Sequence, residues 1–120
     1  MTINVAETLL AAQLSQAGIP FEREYRFAAS IGRRWRADFL AIGVSVDPLR
    51  ITDWSKNPVV LVEIDGGAFI GGRHSRGAGV EADCEKTSAA AILGYRVIRA
   101  TPKQVEDGRC LEWIRQALGT

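Results

Sequence analysis

Glu63 and Asp65 stand two apart in the run "LVEIDGG" (61–67), so in a strand both carboxylates project from the face that Leu61 also occupies. Two carboxylates crowded into one site resist joint ionisation, and a cation between them removes the penalty. Two further acids fall where acids are uncommon. Asp38 lies inside the strand-like run "RRWRADFLAI", and Glu7 completes the 4-3-4 spacing of a helical apolar stripe made by Ile3, Leu10, Leu14 and Ala17. Strand interiors disfavour Asp, and buried carboxylates are seldom kept unless paired or metal-bound. A hard divalent cation such as Mg²⁺ satisfies all four, because it takes oxygen ligands from carboxylates, water and substrate phosphate. The plainer reading is an ion-pair network with Arg34, Arg36, Arg96 and Arg99, with Glu7 merely complementing a helix dipole.

Lys86 favours the cation reading. In "DCEKTSAAAIL" it keeps company with Ala82, Ala89 and Ala90, so its stem is expected along the sheet-facing side of a helix, where the amine can reach an acidic cluster. Snorkelling to solvent is its ordinary alternative. His74, the single histidine, sits between Arg73 and Arg76 in the glycine-rich segment 66–79, "GGAFIGGRHSRGAG". Free backbone N–H groups and forked guanidinium donors suit a phosphate, although a solvated turn has the same composition. The spacing matches neither a Walker loop nor a dinucleotide fingerprint, which leaves nucleotide cofactors without support.

The elements that must carry these residues follow from periodicity and punctuation. "VAETLLAAQLSQAGI" reads as a helix stopped by Gly18 with Pro20 beyond it. "FEREYRFA" alternates Phe21, Arg23, Tyr25 and Phe27 against Glu22, Glu24 and Arg26, and "RRWRADFLAIGV" reads as its partner strand after a turn at Gly32. "DPLRITDWSKNP" is expected as a surface loop, and "VVLVEIDGG" as a central strand apolar on both faces. Residues 66–79 are expected as a mobile loop. "VEADCEKTSAAAIL" is a helix closed by Gly94, "YRVIRA" a short strand, and "PKQVEDGRCLEWIRQALG" a helix entered at Pro102. The order αβββαβα implies an α/β domain with a central mixed four-stranded sheet and helices on both faces.

At 120 residues the chain fits one domain with one real core. Its 47% apolar and 24% charged residues are those of a globular protein rather than a disordered one. No apolar run approaches the roughly 20 residues of a membrane span, and "MTINVAETLL" lacks the features of a secretory signal, so a cytoplasmic protein is expected. Cys84 and Cys110 form no metal or redox motif and read as reduced thiols in or near the core. The net charge of +1 does not advertise nucleic acid, yet of 15 basic residues only Lys56, Lys86 and Lys103 are lysines, and an arginine bias suits phosphate forking.

Taken in order, "RRWRADFLAI", "VVLVEIDGG", "GGRHSRGAGVEADCEKTSAA" and "LGYRVIRATPKQV" resemble the PD-(D/E)xK nuclease superfamily, and within it the small very-short-patch-repair-like endonucleases of bacteria and phages. The resemblance implies a restriction-endonuclease-like core and a Mg²⁺-dependent endonuclease that hydrolyses DNA phosphodiesters, with Mn²⁺ able to substitute. It places Asp38 and Glu63 as metal ligands, Glu7 as the helix glutamate near the metal, and Asp65 where the motif lysine would stand. Some relatives supply that lysine from the following helix, a role open to Lys86, and His74 is the alternative general acid or base.

The mechanism so implied is hydrolysis at a metal held by Asp38 and Glu63, with Asp65 or Glu7. Lys86 or His74 assists, and Arg33, Arg34, Arg36, Arg73 and Arg76 hold the DNA backbone. Trp35 and Trp54 are candidates for stacking on bases, with core packing the expected fate of Trp35. Two alternatives stand beside it. The missing motif lysine fits a non-catalytic DNA-binding module that keeps the fold, and a Holliday-junction resolvase keeps the chemistry but requires a symmetric homodimer.

Overall fold

The computed structural model describes residues 2–43, 58–66 and 78–120, with the side chain of residue 78 left aside. Helix α1 (Ile3–Gln16) starts at Thr2, whose hydroxyl accepts from the Val5 amide and satisfies a donor the helix itself cannot. Its buried face is Ala6, Leu10 and Leu14. Ile3, expected on that stripe, is 41% exposed. The buried stripe shares Leu10 and Leu14 with the expected one and differs in its first turns, where Ala6 is buried and Glu7 lies at the margin, half-buried instead of facing the core.

Four strands follow: β1 (Phe21–Tyr25), β2 (Ala37–Ile42), β3 (Val59–Ile64) and β4 (Arg96–Ala100). They lie side by side in sequence order, with β1/β2 and β2/β3 antiparallel and β3/β4 parallel. Helix α2 (Ala78–Ile92) makes the crossover that the parallel pair requires. The expected mixed sheet with helices on both faces is present. One face carries the larger core, where α1 and the C-terminal helices bury Leu10, Leu14, Val105 and Ile114 against Phe39, Val60 and Val62. The other face, under α2, is thinner and is built from Phe27, Ala28, Ala37, Leu40, Leu61 and Ala90.

Three elements depart from expectation. Strand β1 ends at Tyr25 and β2 begins only at Ala37, so Arg33, Arg34 and Arg36 stand outside the sheet, exposed on a connection that includes a short 3₁₀ turn at Ala29–Ile31. The regular alternation of β1 also breaks. Glu24 has a φ of 52°, a left-handed conformation rare for a residue with a long side chain. Phe21 accordingly packs with the α1 side of the sheet whereas Tyr25 joins the α2 side, although the two would share a face in an unbroken strand. Finally, the C-terminal helix is two helices. α3 (Pro102–Glu106) is closed by a Thr101/Gln104 capping box at its start, and α4 (Arg109–Leu118) restarts after Gly108, whose φ of 88° turns the chain. No helix among the described residues is long and apolar enough to cross a membrane.

The two cysteines part company. Cys110 is buried in the larger core, and burial pushes its thiol up to about 12, whereas Cys84 is exposed on α2, not in or near the core as expected of both.

Candidate active site

The chemistry-bearing residues collect where the sheet begins to open. The β2/β3 ladder runs from Ile42↔Val59 to Phe39↔Val62 and stops. One step further along the same register Asp38 faces Glu63. Here a side chain takes over from the backbone, and the Ile64 amide donates to Asp38 Oδ2 at 2.7 Å. That bond accounts for an aspartate in a strand: it replaces the ladder bond which the parting strands no longer supply.

Glu63 is enclosed on three sides. Asp38 lies across on β2, Arg99 is its parallel partner on β4, and from α2 the Lys86 Nζ donates to Glu63 Oε1 at 2.7 Å. Burial pushes the Glu63 carboxyl above its usual range, Lys86 draws it back, and the neighbouring Asp38 raises it further. Asp65, just past the strand, accepts from Arg99 at 2.9 Å, and the other arm of the same guanidinium donates to Asp83 of α2 at 3.1 Å. Glu63, Asp65, Asp83, Lys86 and Arg99 line a cleft of about 460 Å³ together with the apolar Phe27, Leu61 and Val97.

On its other side Asp38 meets Glu7 and Glu24. Each of the three offers a carboxylate oxygen, and these oxygens lie within 4.8 Å of one another. The crowding shows in Glu7, whose carboxyl is pushed up first by burial and then by the charges of Asp38 and Glu24. Arg23 offsets this only in part, from 3.5 Å. Glu24, the member of the group with a left-handed backbone, lies opposite Asp38 in the hairpin register. An all-oxygen set whose like charge is only partly compensated has the donor chemistry of a hard divalent cation, so the residues fit one.

Of the acids singled out by sequence, the structure thus gathers Glu7 and Asp38 directly and sets Glu63 beside Asp38. Asp65 is held by Arg99 at the rim of the cleft. Lys86 reaches the acids from the helix. Glu24 escapes sequence reasoning because an alternating strand puts it on the solvent side. The signal that finds it is the hairpin register, in which Arg23↔Phe39 and Tyr25↔Ala37 leave Glu24 opposite Asp38.

Among the candidate backbone-binding arginines, Arg33 pairs with Glu85 and lies over the Trp35 ring at 4.6 Å, while Arg34 and Arg36 are exposed. Trp35 itself is half-buried against the thinner core. His74, Arg73, Arg76 and Trp54 lie outside the described residues, as do most of the two segments read as loops. The sequence matches no family model, no curated protein and no solved structure.

Proposed function

We propose that this protein is a metal-dependent endonuclease that hydrolyses DNA phosphodiester bonds, on a restriction-endonuclease-like arrangement of its sheet and helices. The observation that carries the reading is the position of Asp38, which meets the carboxylates of Glu7 and Glu24 on one side and the Glu63–Lys86 pair on the other. Glu7, Glu24 and Asp38 are the residues that would hold Mg²⁺ or Mn²⁺, with Glu63 adjacent. Bound there, the cation supplies Lewis-acid activation of water and neutralises charge on the scissile phosphate. Glu63 orients the Lys86 ammonium, and Lys86 steadies negative charge developing on the phosphate oxygens. Arg34 and Arg36, both exposed, bind the DNA backbone, which makes affinity fall steeply with added salt.

The test is incubation of plasmid, branched and single-stranded DNA with Mg²⁺ or Mn²⁺, for wild type beside Asp38→Ala and Glu63→Ala. Metal-dependent cleavage by the wild type is expected, with a loss of at least about a hundredfold in each variant. Equal cleavage by both variants would remove these residues from the mechanism. A wild type that binds DNA and cuts none of the three forms would favour a non-catalytic module. One observation already leans that way, since Glu63 and Asp65 are each engaged by a cation of the protein itself.

A further inference from the structure

Among the described side chains, the first half of α2 has no buried apolar anchor. From Val80 to Ser88 every side chain is exposed except that of Lys86, which is intermediate. Burial resumes only at the far end, where Ala90 is buried and Leu93 packs beside Tyr95 and Val97. Among the described residues, what joins the first half to the rest of the molecule is charge: Asp83 to Arg99, Lys86 to Glu63, and Glu85 to Arg33.

Arg99 differs from the other two cations in reaching two elements at once. Its backbone is fixed in the β3/β4 ladder, and its two terminal nitrogens donate to Asp65 beyond β3 and to Asp83 on α2. Asp83 and Lys86 are three residues apart and so share a helix face. Docking Asp83 on Arg99 therefore sets the rotation of α2 at which the Lys86 amine meets Glu63.

We propose that Arg99 is a positioning residue: by clamping Asp83 to Asp65 it fixes the first half of α2 and thereby holds Lys86 on Glu63. The use of that pair in phosphodiester hydrolysis rests on the function proposed above, whereas the clamp does not. Its ion pairs are largely exposed, so salt screens them, and the half-helix lifts while its apolar end stays seated.

Hydrogen exchange read by mass spectrometry, on wild type, Arg99→Ala and Asp83→Asn, tests the clamp directly. Asp83→Asn cuts only the helix arm and leaves the sheet intact, which guards against a misfolded Arg99→Ala. Amides in the first half of α2 are expected to exchange about tenfold faster in both variants, with α1 and α4 unchanged. Raising KCl from about 0.05 to about 1 M should produce the same acceleration in wild type and little more in Asp83→Asn. In DNA cleavage, Asp83→Asn should lower kcat with KM unchanged, and Arg99→Lys should recover only part of the Arg99→Ala loss, because one ammonium cannot fork to two carboxylates. Unaltered exchange in α2, or an equal rise in α1, α2 and α4, overturns the clamp. A wild type that cuts no DNA sinks the hydrolytic reading, while the exchange rates in α2 still confirm or overturn the role of Arg99.

Discussion

Glu7 shows what partial burial beside like charges does to a carboxylate. Its side chain is 14% exposed and its pKa lies above the usual 4.5, as does that of Glu63. A raised folded-state pKa means that the folded protein holds the proton more tightly than the unfolded chain does. The contribution to stability is then complete below about pH 4.5 and is lost as the pH rises through the folded value. Glu7→Gln is therefore expected to melt at a higher temperature than wild type at pH 7, by on the order of a few degrees, and to lose this advantage below pH 4.5. Circular dichroism melts across that range check it, and an advantage independent of pH would refute it. Glu24 makes a second case. A glutamate held at positive φ costs on the order of 1 kcal/mol or more, so Glu24→Gly should raise the melting temperature by about 4 °C while weakening Mn²⁺ binding in calorimetry. A variant that gains stability and keeps full Mn²⁺ affinity would take Glu24 out of the cation site.

At the scale of elements, the approach of α1 to the end of β3 is set by a residue without a side chain. A Cβ at Gly66 would overlap the Ile3 side chain in the first turn of α1. Gly66→Ala must displace the Ile3 side chain and with it strain the first turn, and Glu7 sits one turn further along the same helix. The expected cost is about 1–3 kcal/mol, accompanied by weaker Mn²⁺ binding. Ile3→Ala removes the obstructing atoms, so the double variant should recover most of both losses. A double variant no better than Gly66→Ala would mean that the close approach is not what matters.

For the molecule as a whole, the two faces of the sheet are unequal. The α1/α4 side buries a continuous apolar core, whereas the α2 side buries little of its helix and relies on charge. Ile114, fully buried on the first side, is expected to cost about 2–5 kcal/mol when cut to alanine, a large part of the roughly 5–15 kcal/mol typical of a domain. Denaturant unfolding should show it as a lowered midpoint with an unchanged slope. The thick side carries the stability, and the thin side carries the cleft and Lys86.

Sequence alone determined what depends on local pattern. The helix of "VAETLLAAQLSQAGI", the strands around Phe39 and Val62, the crossover helix before Gly94 and the strand "YRVIRA" each follow from periodicity and from the residues that stop them. The acids at positions 7, 38 and 63 stood out for the same reason, because a carboxylate in an apolar pattern is conspicuous without any structure. Only the tertiary structure decided which acids meet. The left-handed turn at Glu24 has no local signature, and Glu24 joins Asp38 through a cross-strand register that periodicity does not encode. The break at Asp107–Gly108 was likewise hidden, because one apolar spacing fits a single long helix and two short ones alike. The pairings of Lys86 with Glu63 and of Arg99 with Asp65 and Asp83 come from side chains reaching between elements far apart in the chain, and that reach is fixed by packing rather than by neighbours in sequence.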